Sequence, residues 1–382
     1  LTAGLVAELP VHAPLVRFDL ARRNGQAGRV RAIDWLRGLA VLVMIECHSL
    51  VLLQPRRARS ALYDWLQAFN GLVAPAFIFA AGFSLVLVIT RTADNQIARQ
   101  NRLRKSFRRA VQLIVVANVL HLLTQPVLRH PILLTKIDIL TCIACGLIAI
   151  AALFSFLPNW PKLHRVILLG LAAALFAVCP VTELYRGNSI LTGFINESNE
   201  SVFPLIPWLG YLFLGGFLGS MMANPISGKR RIWPVLLGML IIGLLLEHFL
   251  PVQRWYPARA DTWLLSNMGA RIWRIAVLIA LLAMLEQIST ALPWLTKNPI
   301  ITLFELFSSL ALPAYCIHLM LLYGALGIGW PRIFHARLDW GSYAVYTVGI
   351  IAVTGYLSRW VSGPFGVSRD LPAQIRIAAP AR

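Results

Sequence analysis

Followed for its alternation of apolar and polar positions, the chain divides into long apolar runs joined by short polar, often basic stretches. Ten runs stand out, at 33–54, 68–90, 108–128, 137–157, 164–184, 204–223, 232–251, 269–290, 301–325 and 342–362. About 20 apolar residues in helical form cross a ~30 Å hydrocarbon core, so each run predicts one transmembrane helix. The basic stretch RTADNQIARQNRLRKSFRRA (91–110) predicts a helix leading into the third span. Residues 1–28 and 363–382 are polar, with scattered Arg and Pro, and read as tails around one transmembrane domain, 29–362. No cleavable signal sequence is evident, and the opening Leu1, in place of Met, suggests residues upstream. There is no second soluble domain, low-complexity tract or internal repeat.

Composition narrows the class. Of 382 residues 58% are hydrophobic and 13% charged, against about a quarter charged in soluble domains, and the mean hydropathy is +0.69. The expected fold is all-α, a polytopic integral membrane bundle of about ten transmembrane helices.

The net charge of +19 raises the question of nucleic acid, and the placement of the charge answers it. With the N-terminus in the cytoplasm, the cytoplasmic segments hold 22 Lys and Arg and the outer segments 12, with Arg37 inside the first span. This is the positive-inside bias. It predicts two cytoplasmic termini, contact with anionic membrane lipids and no nucleic-acid partner. Thirty Arg against five Lys point to a GC-rich bacterial genome, and so to a bacterial inner (cell) membrane. The five cysteines all fall in predicted spans. The pair Cys142 and Cys145 has redox spacing but no second pair or βαβ context, so packing is the expected role. The loop 183–203 carries N-x-S sequons at Asn196 and Asn199, relevant only in a glycosylating compartment. Oligomeric state is left open, a homodimer among the arrangements allowed.

Polar residues inside the spans are the candidate chemistry. Ionisable groups at membrane depth are costly and usually face the bundle interior or a wet cavity. In RVRAIDWLRGLAVLVMIECHSLVLL (29–53), Arg37 lies at the cytoplasmic end and His48 in the outer half, about 16 Å apart along the axis at ~1.5 Å per residue. His121, His248, His318, Asp138 and Asn70 fall at the same outer level, and His130 and His335 in outer loops; His12 and His164 are cytoplasmic. The layout predicts an outward-facing polar cavity with His48 at its floor. A basic entrance lies on the other side, formed by Arg31, Arg37 and the 99–109 cluster.

Each residue has a chemical and a structural reading. The His48 imidazole titrates near neutrality and can take a proton from a hydroxyl or amine, or be acylated as a nucleophile; the sequence does not separate the two. Arg37 either snorkels to the interface or holds phosphate, with Asp34 one turn away as an ion-pair partner. Arg102, Arg104, Lys105 and Arg108 are either topogenic or contacts for a phosphorylated reagent. Asp138 either caps the fourth helix or orients an imidazole or the acceptor. His318, with Tyr315 one turn before it, is either functional or packed between helices. Asn70 is a candidate substrate contact. Trp208, between Pro204, Pro207 and the following span, is an aromatic-belt residue or part of a sugar site. Glu46, two residues from His48, points elsewhere on the helix. The remaining histidines lack metal-ligand spacing such as H-E-x-x-H, and no metal is expected.

IDWLRGLAVLVMIECH, with Arg37, ten residues and then His48, resembles the R-x10-H signature of the transmembrane acyltransferases, acyltransferase family 3. FNGLVAPAFIFAAGFSLVL (69–87), KIDILTCIACGL (136–147), PLIPWLGYLFLGGFLGSMM (204–222) and LALPAYCIHLMLLYG (310–324) look closer to the bacterial relatives of heparan-α-glucosaminide N-acetyltransferase. They occur in that family's order, over about residues 29–325.

The resemblance implies a membrane enzyme that moves an acyl group, usually acetyl, from cytoplasmic acyl-CoA to a sugar hydroxyl or amine on the outer side. Acetyl-CoA is then a co-substrate, Arg37 helps hold its CoA end, and His48 is the catalytic histidine. The chain departs from the lysosomal enzyme at one point. There the catalytic histidine precedes the W-N-G-L stretch and the first span ends in asparagine. Here that later position falls near Leu66, and the first span ends in His48. The rival reading is a secondary transporter or exporter of a sugar or lipid-linked metabolite, coupled to protons through the histidines. The paired broken helices common in such proteins are not evident.

Overall fold

A computed structural model describes residues 30–54, 60–124, 136–157, 160–184, 192–196, 201–223, 260–324 and 337–362, with isolated positions 238 and 241. The two expected tails, the loop histidines His130 and His335, the sequon residue Asn199, and His12 and His248 lie outside them. So does nearly all of the expected span 232–251.

Twelve α-helices are described: α1 (Arg31–Ser49), α2 (Ala61–Asn70), α3 (Val73–Arg91), α4 (Gln96–Thr124), α5 (Ile139–Phe156), α6 (Pro161–Leu184), α7 (Thr192–Ile195), α8 (Leu205–Met222), α9 (Ala260–Ala291), α10 (Pro299–Ser309), α11 (Ala311–Tyr323) and α12 (Trp340–Ser362). Among the described residues there is no sheet, and a single isolated bridge joins Leu53 to Leu338. Eight of the described helices are long and apolar enough to cross a membrane, and α10 with α11 can form a ninth crossing. The protein is an all-α, polytopic integral membrane bundle.

The basic stretch is helical from Gln96 and runs on into the third span as α4, while Arg91 ends α3 and residues 92–95 form the turn between them. Two expectations need correction. The run 301–325 is not one helix: it breaks at Leu310, and its halves meet at 87°. Pro313 gives the reason, since its ring displaces the carbonyl four residues back and it has no N–H to donate. The second span starts at Val73, so Asn70 closes the short α2 instead of opening the membrane helix. Ser60 caps α2 by accepting from the Tyr63 N–H, and Leu62, Trp65 and Phe69 remain exposed on it, the pattern of a helix lying in the membrane interface.

The core forms around α1, α3, α5 and α8, where Trp35, Phe79, Phe83, Ile150 and Tyr211 are fully buried. Small residues let α3 and α8 touch backbone to backbone. A Cβ on Gly215 would stand 2.1 Å from the Phe79 carbonyl oxygen. Without a hydrophobic drive inside lipid, such close packing holds helices together. None of the five cysteines is in a disulfide, and Cys142 and Cys179 are buried. The Asn196 side chain is buried too and donates to the Thr182 carbonyl at 2.8 Å.

Candidate active site

The first helix carries both ends of the site. Eleven residues at about 100° each bring Arg37 and His48 back to within about 20° of one face. The broken helix then meets that face twice.

Near the start of α1, α10 lies against it. The Arg37 Nε–H donates to Ser308 Oγ at 2.9 Å, and a terminal guanidinium N–H donates to Asp34 Oδ1 at 3.0 Å. Ser308 also donates to Asp34 at 3.4 Å, and the Trp35 indole N–H donates to Glu305 at 3.1 Å. Arg37 thus makes the one-turn ion pair its spacing predicts and reaches α10 as well. The two backbones touch here, because a Cβ on Gly38 would lie 1.8 Å from the Phe304 carbonyl oxygen.

Near the end of α1, α11 brings His318 to His48. Their Nδ1 and Nε2 atoms, respectively on His48 and His318, are 3.0 Å apart, and the ring centroids 5.1 Å. His318 is fully buried, and its Nδ1 lies 2.7 Å from the Ala314 carbonyl oxygen. A carbonyl only accepts, so that bond puts the His318 proton on Nδ1. In the neutral ring Nε2 is then a lone pair, and the His48 Nδ1–H donates to it. The lone pair of His48 falls on Nε2, the atom turned away from His318. Tyr323 meets the His48 ring edge-on at 6.1 Å, and Tyr315 meets His318 at 5.8 Å.

Asp138 does cap its helix, accepting from the Thr141 N–H at 2.7 Å. Its second oxygen is buried without a hydrogen bond, 3.9 Å from His121 Nε2. The carboxylate lies within electrostatic reach of Tyr315 and Cys316 on α11. Asn70 is buried, its amide beside the Glu46 carboxyl group. Glu46 does point away from His48: it accepts from the Tyr343 hydroxyl at 2.5 Å.

The other expected residues lie apart. Trp208 packs against Phe203 and Tyr211, at centroid distances of 4.8 and 5.9 Å. Arg31 is exposed at the start of α1, and Arg102, Arg104 and Lys105 are exposed on α4. Sequence reasoning missed Ser308, the link between Arg37 and α10, and Tyr343, the partner of Glu46. Pro313 inside an apolar run was the available signal for the break that positions Ser308 and His318.

A family model described as "Heparan-alpha-glucosaminide N-acetyltransferase, catalytic" matches residues 29–250. The chain belongs to this family. The match covers more than half of the 382 residues. A search of the curated proteins finds no match. Membership makes the protein a membrane-embedded transferase of the acetyltransferase kind. Arg37, His48, Asn70, Asp138 and Trp208 lie within the matched span, while Ser308, Tyr315 and His318 lie beyond its end at residue 250. The half of the histidine pair on α11 therefore comes from outside the part of the chain that identifies this family.

Proposed function

We propose that the protein transfers an acetyl group from cytoplasmic acetyl-CoA to a sugar hydroxyl or amine on the opposite side of the membrane. The supporting observation is the chain Ala314 carbonyl, His318, His48, which leaves a lone pair on His48 Nε2. As general base, Nε2 takes the proton of the acceptor O–H or N–H as that atom attacks the thioester carbonyl. The C–S bond breaks, and the imidazolium returns the proton to the CoA thiolate. In the covalent variant Nε2 attacks first and CoA leaves as the thiolate; the acceptor O–H or N–H then attacks the acetyl-imidazolium, the C–N bond to Nε2 breaks, and the acceptor's proton ends on the CoA thiolate.

Arg37 stands at the end of α1 where the CoA phosphates enter, with Arg31, Arg102, Arg104 and Lys105 supplying positive charge at the same end. Asp138, Asn70 and Tyr315 contact or orient the acceptor at the His48 end. The positive-inside bias supports placing the Arg37 end in the cytoplasm.

The test is acetyl-CoA with a glucosamine-terminated glycan and purified protein, read as CoA release and acetylated glycan. Wild type should turn over and a folded His48→Ala variant should not. Undiminished turnover in that variant would remove His48 from the mechanism. Proton flux driven by the glycan in liposomes, with no CoA released, would replace the transferase mechanism by transport.

A further inference from the structure

At the Arg37 end of the bundle, away from the histidine pair, five helix ends enclose a cavity of about 260 Å³. Helices α3, α5 and α8 finish there, and α4 and α6 begin there. The lining includes Ile89, Asp94, Arg99, Phe154, His164 and Arg165, and no residue of α1, α10 or α11. It is therefore separate from the Arg37–Ser308 contact.

Two of its arginines have structural work. Arg99 donates to the Phe154 carbonyl, and Arg165 donates to the Ser220 carbonyl at 3.1 Å. Each satisfies a carbonyl in the last turn of a helix, a group that has no partner within the helix. That role leaves specific atoms over. Arg165 Nε and His164 Nε2 are buried without a hydrogen-bond partner, and His164 as a whole is 5% exposed. Its ring is held by stacking on Phe154, at a centroid distance of 4.0 Å. Buried polar atoms are nearly always satisfied by protein, water or ligand. Arg165 Nε–H requires an acceptor. His164 Nε2 accepts from a hydroxyl when neutral and donates to an anion when charged. Among the described residues, Arg99 and Arg165 outweigh the one lining carboxylate, Asp94, which is exposed.

We propose that this cavity binds the phosphate of an anionic phospholipid, with a headgroup hydroxyl or phosphate oxygen on His164. Its depth fits, because helices that cross the bilayer end at headgroup level. Basic pockets between helix ends are a known means of holding such headgroups. A soluble phosphate ester offers the same anion. The lipid is favoured because α4 and α6, which open onto the cavity, are the helices whose apolar residues Val111, Val115, Val166 and Leu169 stay exposed.

The experiment compares melting of the full chain in phosphatidylcholine nanodiscs, in nanodiscs enriched in phosphatidylglycerol, and in phosphatidylcholine with glycerophosphoglycerol, the same headgroup without acyl chains. Phosphatidylglycerol should raise the wild-type melting temperature by about 5 °C, and the soluble headgroup should not. His164→Gln, which leaves the Ser220 and Phe154 carbonyl bonds intact, should melt like wild type in phosphatidylcholine but lose the gain. Arg165→Gln should lose the gain and also melt lower throughout. An equal gain in His164→Gln, no gain in wild type, or an equal gain from the soluble headgroup would each overturn the proposal.

Discussion

His48 and His318 are hydrogen-bonded at 3.0 Å across 270 residues of chain. The bond depends on the break at Leu310. Ser308 and His318 are ten residues apart and their partners on α1 eleven, about 15 and 16 Å of helix, so beyond the 87° bend α11 carries the chain from the Arg37 level to the His48 level. One interrupted helix thus contacts Arg37 through Ser308 and His48 through His318.

That arrangement predicts how His318 should matter. It touches neither substrate in the proposed mechanism; it fixes the proton on His48 Nδ1 and so the lone pair on Nε2. In His318→Phe the His48 Nδ1–H has no acceptor, and either tautomer can form. Turnover should fall by about 10²-fold, at the lower end of general-base effects, while the KM for acetyl-CoA stays within about twofold of wild type. His318→Gln keeps a side-chain acceptor and should recover part of kcat. Steady-state kinetics on the three proteins distinguish this from a packing defect, which no acceptor would rescue.

Arg37 allows a comparison of its two roles. Its Nε–H reaches Ser308 while a terminal nitrogen reaches Asp34, a two-pronged contact that a lysine ammonium does not reproduce. Arg37→Lys should raise the KM for acetyl-CoA about tenfold and leave kcat nearly unchanged, as loss of ground-state binding does. Ser308→Ala removes the α10 link alone and should lower stability by about 1 kcal/mol without changing that KM. Equal KM values in wild type and Arg37→Lys would reduce Arg37 to a structural anchor.

Much of this was legible in the sequence, for identifiable reasons. Bilayer thickness imposes the length of apolar runs, so α1, α5 and α8 begin and end within a few residues of their expected positions. The Arg37 to Asp34 pair followed from one-turn spacing, and the separation of Glu46 from His48 from two-residue spacing. What was not legible depended on contacts distant in sequence. Nothing near Glu46 points to Tyr343, 297 residues later. Asp138 and His121 share a depth by residue count, but only the packing of α4 on α5 sets them 3.9 Å apart. The basic cluster 99–109 is conspicuous in the sequence, but only packing shows that Arg99 turns into a buried cavity beside His164 while Arg102, Arg104 and Lys105 stay exposed.

Tyr343 and Glu46 yield a stability prediction. The hydroxyl donates to both the carboxyl oxygen and the backbone oxygen of Glu46, at 2.5 and 3.1 Å. Tyr343→Phe removes the donor and leaves a partly buried acceptor unsatisfied, which should cost about 1–3 kcal/mol. Glu46→Gln retains an oxygen to accept that bond, and should cost less than about 1 kcal/mol and spare turnover. Melting curves and acetyl transfer measured on both variants check the pair. A Glu46→Gln protein with normal melting and no activity would place Glu46 in the chemistry.

Gly38 is where α1 can least accommodate change. The atom facing it is backbone, the Phe304 carbonyl oxygen, 1.8 Å from where a Cβ would sit, and backbone cannot swing aside as a side chain can. Gly38→Ala must push α10 off α1, stretching the Arg37–Ser308 and Trp35–Glu305 bonds together. Overpacking of this kind costs about 1–3 kcal/mol, and more where the obstacle is rigid. Gly170 on α6 is the matched control, with nothing within 4 Å of its Cβ position. Gly170→Ala should be neutral or stabilise by about 0.5–1 kcal/mol through helix propensity. Thermal melting in one detergent compares them directly. If the two variants melted together, the close contact between α1 and α10 would be wrong, and with it the route by which Ser308 reaches Arg37.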